Sequence, residues 1–145
     1  DTYLRDLAKQ LGISHMVTFA GYREDILKIL QTADLFLFPS YQEGLPMALL
    51  EAMASGLPVI CSDIRGSRDL MGDILSQNGS ISLCSGGIMV KKADDAAAYS
   101  KAIRHLLNRS ENLKNLGREN INKSKMFYSN IVIEKMEKIY QRILT

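Results

Sequence analysis

The sequence has 145 residues, of which 46% are hydrophobic and 23% charged, with only 3 prolines, a balance that suits one globular domain and argues against disorder or a solenoid. No apolar run reaches the ~18–20 residues of a membrane span and no leader pattern is visible, so a soluble, intracellular protein is expected. The net charge of +2 hides an asymmetry, with 8 Lys/Arg against 12 Asp/Glu in residues 1–100 and 10 against 4 in residues 101–145; this reads first as a solvated outer face of terminal helices, with weak attraction to an anionic membrane surface or an acidic partner as the functional alternative, and nucleic acid fits less well because the basic residues are not interleaved with aromatics.

Along the chain two kinds of segment alternate. Leu4, Leu7, Ala8 and Leu11 recur at helical spacing and stop at Gly12, which suits a left-handed cap. Val17–Ala20 reads as a short strand ending at Gly21. Ile26, Leu27, Ile29, Leu30 and Ala33 mark a second helix, with Asp25 near its start, where negative charge is favoured. Leu35–Phe38 is a continuous apolar run, expected of a strand covered on both faces, and Pro39 closes it. Pro46 suits a first helical turn, residues 47–54 are mostly good helix formers, and Gly56 with Pro58 ends that helix. Val59–Cys61 is the next strand.

Farther on, Ser67–Leu75 reads as a short helix, and Ile81–Cys84 and Ile88–Val90 as short strands. Asp94 and Asp95 open a helix carrying Ala98, Ala102, Ile103, Leu106 and Leu107. Two more helices are expected near 111–124 and 130–144, the last with one apolar stripe of Val132, Met136, Ile139, Tyr140, Ile143 and Leu144. Cys61 and Cys84 lie in apolar stretches and are expected to be free thiols. His15 and His105 are far apart, so no structural zinc is expected.

Alternating strands and helices imply an α/β fold, a Rossmann-like parallel sheet with helices on both faces, built from right-handed crossovers. Ligands of such sheets bind at the carboxyl ends of the strands, which places residues 21–24, 39–44 and 62–65 on a common rim.

The stretch EGLPMALLEAMASGLPVICSD, residues 43–63, carries the chemistry. Glu43 stands just before the helix and Glu51 lies ~7.5 Å along its axis. Carboxylates accept hydrogen bonds from paired sugar hydroxyls. The uncapped amides of residues 44–47 favour phosphate, and Gly44 allows close backbone approach. Because Ala48, Leu49, Leu50, Ala52, Met53 and Ala54 surround Glu51, its carboxylate is expected to need a partner; a Glu51 turned to bulk water, or antiparallel strands with no shared rim, would overturn a socket with an acidic side chain at either end.

With VTFAG at 17–21, ADLFLFPS at 33–40 and SDIRGSRDL at 62–70, this stretch resembles the C-terminal, donor-binding domain of family 4 retaining glycosyltransferases of the GT-B fold, in particular the bacterial capsular and exopolysaccharide subgroup. The resemblance implies that residues 1–145 form the nucleotide-sugar-binding half of the enzyme, lacking the first βαβ unit with its phosphate-gripping Arg and Lys and the N-terminal acceptor domain. It makes Glu43 the catalytic candidate at the transferred sugar and Glu51 a ribose ligand. Ser40, Gly44, Leu45, Pro46 and Met47 fall on the sugar and diphosphate side, though Pro46 has no N–H to give, and Tyr22 and Arg23 fall near the nucleobase.

The implied reaction moves a sugar, with retention, from a nucleoside diphosphate sugar to a glycan or lipid-linked acceptor in surface polysaccharide synthesis. It would occur in the cytoplasm or at the inner face of the cell membrane. No Asp-x-Asp pair occurs, so a metal-independent site without cofactor is expected. Where relatives often carry G-x-P-E, this chain has Gly66, Ser67, Arg68 and Asp69. One alternative is a non-catalytic Rossmann-like scaffold partnering another subunit. Another, a flavodoxin-like module, lacks the expected acidic cluster and glycine-rich loop.

Overall fold

The computed structural model describes residues 2–108 and 110–144. Helix α1 (Thr2–Gln10) is closed by Gly12 at φ +69, whose amide and that of Ile13 return to the carbonyls of Lys9 and Ala8 at 3.0 and 2.9 Å. The left-handed glycine therefore terminates the helix as its position suggests. Val17–Ala20, expected as a strand, forms none. A strand exists only through ladder partners, and this stretch meets none; Phe19 instead lies under the Arg5 guanidinium, 4.5 Å from ring centroid to Cζ.

Helix α2 (Ile26–Gln31) leads into β1 (Phe36–Phe38). The expectation that this run is covered on both faces does not hold: β1 is a sheet edge and Leu37 is 44% exposed. Helix α3 (Met47–Ala54) has buried Pro46 as its N-cap and ends before Gly56 at φ +78. Strand β2 (Val59–Ser62) is buried throughout. Helix α4 (Arg65–Met71) stops at Gly72, short of the expected Leu75. The residues assigned to its end enter β3 (Ile74–Asn78), which pairs with β4 (Ile81–Cys84), which pairs with β5 (Gly87–Val90).

The sheet order is β1-β2-β5-β4-β3. The pairs β1–β2 and β2–β5 are parallel, as expected; β5–β4 and β4–β3 are antiparallel and extend the sheet beyond the parallel part. Helix α5 (Ala96–Leu107) starts at Asp95, whose Oδ1 accepts the Ala98 amide at 2.9 Å, satisfying one of the free donors of a helix start. Helix α6 (Ser110–Ser124), a 3-10 turn (Lys125–Phe127) and α7 (Ser129–Leu144) complete the chain. Among the described residues no helix is long and apolar enough to cross a membrane.

Side chains alternate across β2, and this divides the core. Val59 and Cys61 join Leu49, Met53, Leu70 and Met89 on the face covered by α3 and α4. Ile60 joins Ile88, Val90, Tyr99, Ala102 and Leu106 on the face covered by α5. Helix α6 is tied in by fully buried Asn120, whose Nδ2 donates to the carbonyls of Leu57 and Gly86 at 2.7 and 2.9 Å. The α7 stripe foreseen from the sequence is present, but none of its residues is buried. Cys61 and Cys84 are free and buried.

Candidate functional site

Strands β1 and β2 run side by side in register, Phe38 opposite Cys61, so the chain leaves both at one rim. Hydrogen bonds stitch that rim together. The hydroxyl of Ser62, the last residue of β2, donates to the carbonyl of Ser40. The Ser40 hydroxyl in turn donates to Glu43 Oε1 at 2.8 Å. The end of one strand thus holds the loop leaving the other, and that loop aims a half-buried carboxylate.

Opposite this loop stands α4, and the contact between them is backbone-close. A Cβ on Gly66 would overlap the Gly44 carbonyl oxygen and would lie 3.0 Å from the Glu43 carbonyl oxygen and 3.1 Å from Pro46 Cδ. Glycine is required here for space, and the result is a fixed separation between Glu43 and the α4 side chains.

Above this contact opens a cleft of about 800 Å³. Tyr41, Gln42, Glu43, Gly44 and Leu45 form one wall. Ile64, Arg65, Arg68 and Asp69 form the other, and Phe127 also lines it. Arg68 is oriented from behind: its Nε donates to Asp63 Oδ1 at 2.5 Å and its Nη2 to the Asp63 carbonyl at 3.3 Å. The Asp63 side chain is only 14% exposed. The Asp63 carboxylate raises the Arg68 pKa further, so the guanidinium is always charged. The Arg65 side chain makes no hydrogen bond or ion pair among the described residues.

The residues expected from the sequence are only partly brought together. Glu43, Gly44 and Leu45 line the cleft, and Ser40 stands behind Glu43. Pro46 is buried at the helix start and Met47 faces outward beyond the cleft. Tyr22 is 89% exposed, and Arg23 is engaged by Asp25 through two bonds of 2.8 and 2.7 Å, which hold the Asp25 pKa down. Neither Tyr22 nor Arg23 borders the cleft.

Glu51 needs a correction. Its apolar neighbours Leu49, Ala52 and Met53 turn inward while Glu51 itself is exposed, with no side-chain partner among the described residues. The argument from apolar surroundings fails because residues adjacent in a helix do not share a face. As folded here, one acidic side chain of the pair faces the cleft. Residues 62–65 lie on the rim as the strand order implies, but the roles of Ser62, Asp63, Arg65 and Asp69 emerge only from the folded geometry. The signal available was SDIRGSRDL itself, four charged residues directly after a strand.

Residues 1–123 match the family described as "Glycosyl transferases group 1". EpsD of Bacillus subtilis is 34% identical over 134 residues, 92% of this chain and 32% of EpsD. The N,N'-diacetylbacillosaminyl-diphospho-undecaprenol alpha-1,3-N-acetylgalactosaminyltransferase of Campylobacter jejuni is 30% identical over 131 residues, 90% of this chain and 32% of that protein. The chain therefore spans about a third of the length of these relatives. Among solved structures, sucrose-phosphate synthase of Thermosynechococcus elongatus superposes with a TM-score of 0.78 at 23% identity, over 97% of this chain and 33% of that one. This likeness establishes the Rossmann-like α/β fold of one GT-B half.

Proposed function

Since the chain belongs to the group 1 glycosyltransferases, we propose that it supplies the donor-binding part of an enzyme that transfers a sugar from a nucleoside diphosphate sugar to a glycan or lipid-linked acceptor in surface polysaccharide synthesis. The Campylobacter relative, by its name, acts on a diphospho-undecaprenol-linked sugar, and an acceptor of that class suits a protein working in the cytoplasm at the inner face of the membrane. The observation that supports this reading most is Glu43, held by Ser40 on the wall of an open cleft at the carboxyl ends of β1 and β2.

With Oε1 engaged by Ser40, the other oxygen of Glu43 can accept a sugar hydroxyl and fix the transferred ring. The amides at the start of α3 and of Gly44 and Leu45 offer fixed dipoles to the leaving phosphate, so the reaction proceeds without metal, and with retention as in the family. Residues 1–145 are in this proposal the C-terminal domain of a two-domain enzyme whose other half binds the acceptor. Glu51 is assigned the donor ribose on the family resemblance alone, with Met47, Tyr22 and Arg23 as outer donor contacts.

Steady-state kinetics of the full-length enzyme test these roles separately. Glu43→Ala is expected to lower kcat by about 10²-fold or more while leaving donor KM near its starting value. Glu51→Ala is expected to raise donor KM about tenfold or more with a smaller loss of kcat. Unchanged kinetics for Glu43→Ala would remove the catalytic assignment; an unchanged donor KM for Glu51→Ala would remove the ribose assignment and leave Glu43 standing.

A further inference from the structure

We infer that Arg65 and Arg68 form a phosphate-recognising wall of the cleft, facing Glu43 across the Gly66 contact. The inference rests on the transferase reading for its physiological ligand but on the geometry for its chemistry. Both arginines line the same 800 Å³ cleft as Glu43. They stand three residues apart on α4 and so share one helix face.

Their states differ in a way that suits a ligand. Arg68 is preorganised, because a largely buried carboxylate holds its Nε edge. That leaves the edge between its two terminal nitrogens for a second acceptor, and such a planar guanidinium edge binds two oxygens of a phosphate with parallel bonds. Arg65 has no partner among the described residues although Asp69, on the same helix, also borders the cleft.

The cleft is bipolar. Its four charged lining residues cancel, two guanidinium groups against the carboxylates of Glu43 and Asp69, so bulk attraction of anions is not what it offers. What it offers is position: a carboxylate for hydroxyls on one wall and a guanidinium pair for phosphate on the other. A sugar joined to a phosphate or diphosphate presents both groups. The close approach of Gly66 to the Gly44 and Glu43 carbonyls keeps the two walls at one spacing. The phosphate could come from the nucleotide donor or from a lipid diphosphate acceptor, and the shared chemistry is a phosphate ester bearing a sugar.

Titration of the chain with inorganic diphosphate, followed by NMR, tests the wall. Shifts are expected at residues 64–69, and Arg65→Gln alone, at the arginine without a partner, should weaken binding several-fold at the parent's thermal midpoint, while Arg65→Gln/Arg68→Gln should weaken it at least tenfold, with a lower midpoint because Asp63 loses its partner. Arg65→Lys/Arg68→Lys, which keeps charge and loses the planar fork, should fall between the parent and the double Gln variant. Absence of binding, or equal binding by the double Gln variant, would overturn the inference.

Competition then identifies the source. Displacement of diphosphate by uridine diphosphate points to the donor, displacement by geranyl diphosphate to the acceptor, and displacement by neither overturns the site. If the full-length enzyme transfers no sugar from nucleoside diphosphate sugars while these titrations behave as stated, the transferase reading falls and the phosphate wall stands; sugar transfer together with failed titrations removes the wall alone.

Discussion

Cys61 shows how strongly single positions are held by their surroundings. It has no exposed surface, and loss of hydration of the thiolate pushes its pKa from 9.0 up to about 12; Cys84, packed in the same cluster, is pushed up to about 11, again chiefly by burial. A thiol whose pKa is raised on folding leaves full stability below its unfolded value. Above about pH 9 the unfolded chain gives up the proton and the folded chain keeps it, so stability falls as pH rises toward the folded values. By about pH 11 the Cys61 contribution alone amounts to roughly 2–3 kcal/mol, at about 1.4 kcal/mol per pH unit. The thermal midpoint is therefore expected to be level from pH 7 to about 8.5 and to fall steeply beyond, with both thiols unreactive toward disulfide reagents in the folded chain. Cys61→Ala should flatten that fall even though it lowers the midpoint at neutral pH. Parallel curves for the two proteins between about pH 9 and 11 would rule this thiol out as the cause.

Between elements, the docking of α4 onto the loop before α3 matters most for the site, and two glycines separate its parts. Gly66→Ala drives a methyl group into the Gly44 carbonyl, backbone against backbone, whereas a Cβ on Gly44 meets nothing within 4 Å. Overpacking of this kind costs about 1–3 kcal/mol, so Gly66→Ala should lower the melting temperature by roughly 3–10 °C. Gly44→Ala should stay within about 0.5 kcal/mol of the parent, as for an open surface position. Calorimetry on both variants decides the matter, and equal midpoints would mean that the loop yields freely. The same region shows what a sequence discloses. Gly12, Gly56 and Asp95 announce helix ends because capping is a local act, and β2 is readable because a strand buried on both faces reads as an apolar run, here Val59–Cys61. Strand β3 is not readable, since all five of its residues are exposed and its partner is a hairpin away. Val17–Ala20 has the composition of a strand and lacks the partner that would make it one. The loop carrying Glu43 is legible from its motif, but the Asp63–Arg68 pair depends on how α4 turns off β2, and Glu51 on which side of α3 faces the core; neither orientation is written in residue order.

For the whole molecule, burial is concentrated in one slab and thins toward both ends of the chain. Strands β2 and β5 are buried at every residue and lie at neighbouring places in the sheet, flanked by α3, α4 and α5. By contrast α1 buries only Ala8, and α7 buries none of its 16 residues, its apolar stripe of Val132, Met136, Ile139 and Ile143 lying open to solvent. A helix of that length without tertiary packing is marginal in water, whereas a strand at the centre of the slab opens only with global unfolding. Hydrogen exchange of this chain should therefore divide sharply. Amides of Val59–Ser62 and Ile88–Val90 should show protection on the order of 10⁴ or more, set by the stability of the whole domain, while those of α7 should exchange with protection below about 10². Protection in α7 equal to that of β2 would show that it is packed in solution on a surface that this fold leaves uncovered, and the division of the molecule into a cooperative slab and a loosely attached terminal helix would have to be abandoned.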